Sequence, residues 1–467
     1  MFKVLKHLIA ESTIKYLDWL KGTRIQELED SKILLIHMRV YQVTSKYLSF
    51  CFKKIHNQFS KIQGISYYQL AFSVLNKKPN KMANQKVLSV CFFIYLFRVF
   101  VDKENAHLTT PQILTKYGYS NEVHHVTTSD GYILALHRIL PGKNTTHKPV
   151  LVLHGLFVDS SSFVSTGVDH GLGFILADEG YDVWLGNVRG TPSSRNHTTL
   201  NPNRDPKFWD FSWHEMGTID LPAMVDHVLN VTHQASLYYV GYSQGTTIFF
   251  VMMATHPTYN AKIKVHMAMA PVAYLGHMKS VPIRTMATWK DFLNFWIKVF
   301  KINVVPPKNA VFVLRRVCSV SSRFCNLVFM AIFAYKPNQV DSNTLTSFLG
   351  HFPVPISRKQ GHHYLQIVKS GYFRRYDFGR RMNEEVYGFS TPPSYNLSLV
   401  TTKCHLFYSR DDLAVSEEDA VRVCKELGGA CGSSNLVNGT IKHMDWVIGI
   451  RIRELVYSKL LSIMANY

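Results

Sequence analysis

The chain reads as an α/β protein: a mostly parallel central sheet flanked by helices, with a helical cap inserted in its second half. Three observations predict this. Apolar strand-like runs alternate with helical patterns between residues 149 and 270. A strand-like run passes through a glycine-flanked turn into an apolar helical run at 236–254, and about 130 residues then separate Pro271 from the next strand-like run at Cys404. In chain order, His125-Val126 and Tyr132-Ile-Leu-Ala-Leu136 flank the polar turn Ser129-Asp130-Gly131 and predict an opening antiparallel hairpin. Strands follow near 149–154, 181–186, 236–242 and 263–270, and helices near 169–179, 219–231 and 245–256. Lys148-Pro-Val-Leu-Val-Leu153 is a continuous apolar run, the pattern of a strand covered on both faces. The insertion, about 275–400, is too long for a simple connection and is expected to be a mostly helical cap.

The turn at Gly241-Tyr-Ser-Gln-Gly245 carries the chemistry. It follows Ser236-Leu-Tyr-Tyr-Val240 and precedes Thr246-Thr-Ile-Phe-Phe-Val-Met-Met-Ala254, the setting in which G-x-S-x-G holds a serine hydroxyl at the tip of a sharp strand-to-helix turn. The glycines two before and two after Ser243 let neighbouring backbone pass where a Cβ would obstruct, and the helix N-terminus points free N–H groups at developing negative charge. In the α/β-hydrolases, which this turn resembles, the acid and the base follow the serine along the chain, acid first. The run Cys404-His-Leu-Phe-Tyr408 ends in Ser409-Arg-Asp-Asp-Leu-Ala414, placing Asp411 or Asp412 just past a strand end, and His443 stands before the apolar, helix-like C-terminal tail. With 22 histidines in the chain, position rather than type selects His443. Its role is to take the Ser243 proton as general base and return it to the leaving alcohol, while the carboxylate fixes the imidazole tautomer. His154-Gly155 turns at the end of an early strand, so the backbone N–H groups of Leu156 and Gln244 are the expected oxyanion donors.

Several blocks together resemble the acid lipase family, which includes gastric lipase, lysosomal acid lipase and many insect lipases. They are His154-Gly-Leu156, Asp182-Val-Trp-Leu-Gly-Asn-Val-Arg-Gly190, Phe208-Trp-Asp-Phe-Ser-Trp-His-Glu-Met-Gly217, Asp220-Leu-Pro222, Gly241-Tyr-Ser-Gln-Gly-Thr246, Ser370-Gly371 with Tyr376-Asp377, and His443-Met-Asp-Trp446. The match runs from about Leu108 to the C-terminus. It implies an α/β-hydrolase fold with a cap, hydrolysis of triacylglycerols or cholesteryl esters, and no cofactor or metal. The family's acid block reads Asp, any residue, Leu, Ala; on that register Asp411 is the expected acid and Asp412 the fallback. Phe163-Val-Ser-Thr-Gly-Val-Asp-His170 and Lys442 depart from the family pattern.

Composition fits once the chain is divided. Its 467 residues, 46% hydrophobic, suffice for a large core. Met82-Ala-Asn-Gln-Lys86 precedes the 11-residue apolar run 87–97, with Asn105-Ala106 as a cleavage site, so 82–106 has the layout of a secretory signal peptide and 107–467 is the expected lipase domain. Residues 1–81 hold 14 Lys and Arg against 5 Asp and Glu, almost half of the chain's +20. No nucleic-acid module accompanies that charge, and the segment is read as an extension outside the mature protein. The sequons at Asn144, Asn196, Asn230, Asn396 and Asn438 all lie beyond residue 106, as in a chain entering the secretory path there, and secretion is expected, with a lysosome as the alternative. Cys318 and Cys325 are near enough in sequence to close a short loop, and the family resemblance favours that pair. Cys424 with Cys431 offers a second bridge, leaving Cys404 as a buried strand residue; no C-x-x-C spacing supports zinc.

The cap runs Phe292-Leu-Asn-Phe-Trp-Ile-Lys-Val-Phe300 and Leu327-Val-Phe-Met-Ala-Ile-Phe-Ala-Tyr335 are rich in apolar residues. Most of these side chains are expected to pack the cap's own core. The remainder can line an acyl path and meet a neutral lipid substrate at an oil–water interface. A small-substrate carboxylesterase using the same residues and a non-catalytic lipid-binding protein are the rival classes; the second usually lacks members of the triad, whereas Ser243, an Asp and His443 occur here in order.

Overall fold

The computed structural model describes residues 105, 108–141, 148–307, 310–311, 340, 342–439 and 441–467. The 1–81 extension, most of the signal-like segment, Asn144, Cys318 and Cys325 lie outside the described residues.

A sheet organises the rest. Its strands are β1 (Asn121–Thr127), β2 (Tyr132–Ile139), β3 (Pro149–Leu153), β4 (Asp182–Gly186), β5 (Asn196–His197), β6 (Leu237–Tyr242) and β7 (Ile263–Met269), followed after the insertion by two more. Within the insertion, β8 (Val304–Val305) and β9 (Ile356–Ser357) form a small antiparallel pair of their own. The last two sheet strands are β10 (Lys403–Tyr408) and β11 (Cys431–Leu436), giving the order β1-β2-β4-β3-β6-β7-β10-β11 with β5 beside β2. From β4 to β11 every neighbour is parallel, whereas β1, β2 and β5 are antiparallel. Burial follows from this. Strands β3, β4 and β6 are buried at every residue because helices cover both faces, while the outermost β1 alternates between half-buried and exposed positions.

The strand and helix positions expected from hydrophobic patterning hold to within a few residues: helices occupy Leu172–Asp178, Leu221–Thr232 and Gln244–Thr255 between the predicted strands. The opening hairpin turns at Gly131, whose φ of +94° suits glycine and whose added Cβ would lie 2.7 Å from the His197 ring. Patterning did not mark β11. Cys-Gly-Ser-Ser-Asn-Leu has little β propensity, and the strand forms because β10 offers a parallel ladder and a Cys424–Cys431 disulfide, Cα to Cα 5.2 Å, ties it to the helix Glu417–Leu427. Cys404 is free and buried.

The chain leaves β3 in one direction across the sheet, toward β4, and returns past it to β6. The crevice beyond the carboxyl ends of β3 and β6 is therefore the switch point at which open α/β sheets bind ligands. The helix Gln244–Thr255 starts there and is buried on all sides from Gln244 through Met253, its polar Gln244, Thr246 and Thr247 included. It can approach the preceding helical segment closely because Gly217 has no side chain: a Cβ there would fall 2.5 Å from Val251. Between β7 and β10, the described part of the insertion is mostly helical, with helices at Val281–Thr288, Lys290–Val299, Ser342–His351, Arg358–Ser370 and Arg380–Tyr387.

Candidate active site

Ser243 ends β6 and caps the next helix with φ 51° and ψ −111°, a conformation that costs of order 1–3 kcal/mol for a residue with a Cβ. Its surroundings enforce it. The Ser243 N–H donates to Met269 O of β7 at 2.9 Å, and Thr246 N–H donates back to Ser243 O. The flanking glycines are obligatory: a Cβ at Gly241 would come within 3.0 Å of Gly245, Thr246 N and His266 Nε2, and one at Gly245 within 2.3 Å of Leu153 O.

The strain presents Ser243 Oγ to His443. Ser243 Oγ lies 2.9 Å from His443 Nε2, and His443 Nδ1 lies 2.9 and 3.1 Å from the two carboxylate oxygens of Asp412. His443 comes from the loop after β11, and the Tyr242 hydroxyl holds its backbone carbonyl. Asp412 is fully buried, yet it accepts three hydrogen bonds besides the imidazole's: from the backbone N–H groups of Ala414 and Val415 at 2.8 and 3.1 Å and from the Trp446 indole N–H at 3.0 Å. Burial alone would raise its carboxyl; the charge and hydrogen bond of His443 and the two backbone donors outweigh it and hold the group below the ordinary aspartate range.

The acid expected from the family register is thus corrected by one residue. Asp411 is half-exposed, with Oδ1 3.9 Å from Lys442 Nζ, and does not face His443. The cause is the turn after β10. Asp412 N–H donates to Ser409 O, which closes the turn and swings the Asp412 side chain inward, where it bonds the backbone two and three residues on. Asp411 sits at the apex of that turn and points outward.

The loop after β3 reaches the same point. A Cβ on Gly155 would lie 2.8 Å from the Tyr242 ring and 3.2 Å from Ser243 Cβ, so the His154-Gly155-Leu156 backbone passes directly against the serine. Neither Leu156 N–H nor Gln244 N–H has a protein acceptor among the described residues. Behind them is a small cavity bounded by Phe157, Val158, Met216, Val354, Ile356 and Gln360. Gln360, from the cap helix Arg358–Ser370, donates its Nε2 to Gln244 Oε1 at 2.5 Å, and Val354 N–H of the cap donates to Phe157 O at 2.6 Å. Sequence reading missed Gln360 and the Trp446 donor. Trp446 could have been found from its spacing three residues after His443, but nothing local marks Gln360.

Buried Arg189 is held between Asp220, 2.6 Å away, and Asp130, 2.7 Å away, with its guanidinium 4.0 Å from the Tyr132 ring. It joins the opening hairpin to the loop after β4 and has no exposed donor to offer a substrate, so its part is structural. Of the sequon asparagines, Asn196, Asn230, Asn396 and Asn438 are exposed.

Other buried histidines contribute to the pH response of the fold. Burial lowers His137 to about 4, and burial with the nearby Lys290 charge lowers His362 to about 4. An unfolded chain takes up each proton near pH 6.5, but the folded one does not until about pH 4. Stability from these groups is complete above pH 6.5 and is lost as pH falls through that window. Asp445 opposes them: burial raises its carboxyl to about 6, so folding gains as pH falls from there toward 3.8. Between pH 7.5 and 5, His137 alone is expected to cost about 2 kcal/mol. Urea unfolding of the protein and of His137→Asn at both values checks this, and equal pH slopes would show the assignment to be wrong.

A strained serine relayed to a buried carboxylate at the switch point of a parallel sheet is the chemistry of a serine hydrolase with the α/β-hydrolase fold. Comparison with known proteins agrees. Residues 148–427 match the family model described as the alpha/beta hydrolase fold, and residues 110–167 match a partial alpha/beta-hydrolase lipase region. Lipase 1 of Drosophila melanogaster is 40% identical over 366 residues, 78% of this chain and 81% of that one. Gastric triacylglycerol lipase of Bos taurus is 34% identical over 397 residues, 81% of this chain and 98% of that one, and Lipase lipl-1 of Caenorhabditis elegans is 34% identical over 376 residues, 77% and 92%. The chain belongs to the acid lipase family of α/β-hydrolases and is a serine hydrolase of carboxylic esters.

Proposed function

We propose that the protein hydrolyses the ester bonds of neutral lipids, triacylglycerol or cholesteryl ester, with Ser243 as nucleophile, His443 as general base and acid, and Asp412 as the orienting carboxylate. Ser243 Oγ attacks the ester carbonyl while His443 Nε2 takes its proton. The backbone N–H groups of Leu156 and Gln244 receive the oxyanion, and collapse releases the alcohol with the proton returned by His443. Water, deprotonated by the same imidazole, then frees the fatty acid. The observation that carries this reading is the continuous hydrogen-bonded path from Ser243 Oγ through His443 to a buried Asp412.

Preference for long-chain, water-insoluble esters rests on the cap. On and beside the helix Lys290–Val299, Trp289, Phe292, Phe295, Trp296, Val299 and Phe300 are exposed, up to 67% for Phe300. So much clustered aromatic surface is costly in water and suits contact with a lipid surface. The exposed sequon asparagines fit a glycosylated protein of the secretory path, either secreted or lysosomal. Among the described residues no helix is long and apolar enough to cross a membrane. Fatty-acid release from emulsified trioleate is expected to exceed hydrolysis of dissolved p-nitrophenyl acetate, and Trp296→Ser with Phe300→Ser should lower only the emulsion rate, by roughly tenfold or more. Preference for the dissolved ester, unchanged by those substitutions, would point to a small-substrate carboxylesterase instead.

A further inference from the structure

His154 takes no part in the proton relay, yet it is fully buried one residue before the turn that reaches Ser243. Its ring has two partners, and together they fix one tautomer. Nε2 lies 3.4 Å from the Val188 N–H, which can only donate, so Nε2 accepts. Nδ1 lies 2.9 Å from Gly155 O, which can only accept, so Nδ1 carries the proton. The Gly155 carbonyl and the Leu156 N–H belong to one planar peptide unit and point in opposite directions. A donor clamped to that carbonyl therefore sets the direction of that N–H and polarises it.

We propose that His154 is a positioning residue for the oxyanion hole, aiming the Leu156 N–H at the charge that develops on the ester carbonyl oxygen. The inference rests on the proposed roles of Ser243 and Leu156. The effect belongs to the transition state rather than to substrate binding, because the carbonyl oxygen becomes anionic only after attack. Burial lowers the His154 pKa, so the neutral, Nδ1-protonated form is the one that persists as the medium becomes acidic. Val188 N–H, on the loop after β4, keeps the ring from rotating.

Two amides separate this role from simple packing. Asn at position 154 can place its Nδ2 close to the position of the imidazole Nδ1 and donate to Gly155 O. Gln fills more of the imidazole volume and reaches toward Val188 but gives no donor near that carbonyl. His154→Gln is expected to lower kcat about 10- to 100-fold at unchanged KM, and to weaken a trifluoromethyl ketone, which becomes a tetrahedral oxyanion on Ser243, by the same factor. His154→Asn should recover most of both losses. Equal losses in the two variants, or a rise in KM without loss of ketone affinity, would overturn the proposal. A fluorophosphonate label on Ser243 is the control. If the unsubstituted enzyme fails to label there, the assignment of the nucleophile is at fault; labelling with wild-type kcat in His154→Gln refutes the role of His154 alone. If the Gln variant fails to fold, ketone affinity and kcat of His154→Asn against His154→Ser, a smaller side chain without that reach, give the same decision: a parallel loss in Ser alone supports it, and equal values refute it.

Discussion

Ser243→Ala is expected to lower turnover on any ester about 10⁶-fold, with melting close to that of the unsubstituted protein. The removed atom is Oγ, whose one described side-chain partner is His443 Nε2 at 2.9 Å, and a net hydrogen bond of that kind contributes about 1 kcal/mol. The backbone strain at φ 51° is the same for Ala as for Ser, so it neither worsens nor eases. What remains should be the modest acceleration that oriented backbone donors supply without a nucleophile. Fatty-acid titration measures the turnover and a thermal melt the stability, while a fluorophosphonate label reports whether an activated serine is left. Retained turnover in a folded, unlabelled variant would remove Ser243 from the chemistry.

Asp412→Asn should lower kcat about 10⁴-fold, whereas Asp411→Asn should stay within about threefold of the parent. The asymmetry follows from what each carboxylate touches. Asp412 accepts from the imidazole, an indole and two backbone amides, so the ring is held with Nδ1 protonated and Nε2 free to accept from Ser243. An Asn there offers an amide N–H toward the same nitrogen and favours the other tautomer, in which Nε2 carries the proton and cannot take another. Asp411 is half-exposed and meets Lys442 at 3.9 Å, an ion pair of little energetic consequence. Steady-state kinetics of the two single variants decide between them. A greater loss from Asp411→Asn would restore the acid expected from the sequence register.

Much of the fold and part of the site are legible in the sequence. Strands β3, β4 and β6 and the helices between them could be placed because total burial leaves long apolar runs, and Ser243 because its glycines answer a local steric demand. The choice between two adjacent aspartates was not legible. A carbonyl-to-amide bond from Ser409 to Asp412 decides which carboxylate turns inward, and neighbouring identical residues leave no trace of it in the sequence. β11 was missed for a related reason, since its polar sequence becomes a strand only when a partner is present. Gln360 could not be found at all, because its contact with Gln244 joins residues more than a hundred positions apart.

The insertion that carries Gln360 also divides the proposed catalytic residues along the chain. Lys403 pairs with Val265, so closing the sheet between β7 and β10 must bring together segments separated by roughly 140 residues, a loop whose entropy is unfavourable until the ladder forms. Ser243 lies before that loop, and Asp412 and His443 lie after it. The proposed proton path therefore needs segments from both sides of the insertion, and a chain ending before β10 would carry the serine turn without Asp412 or His443.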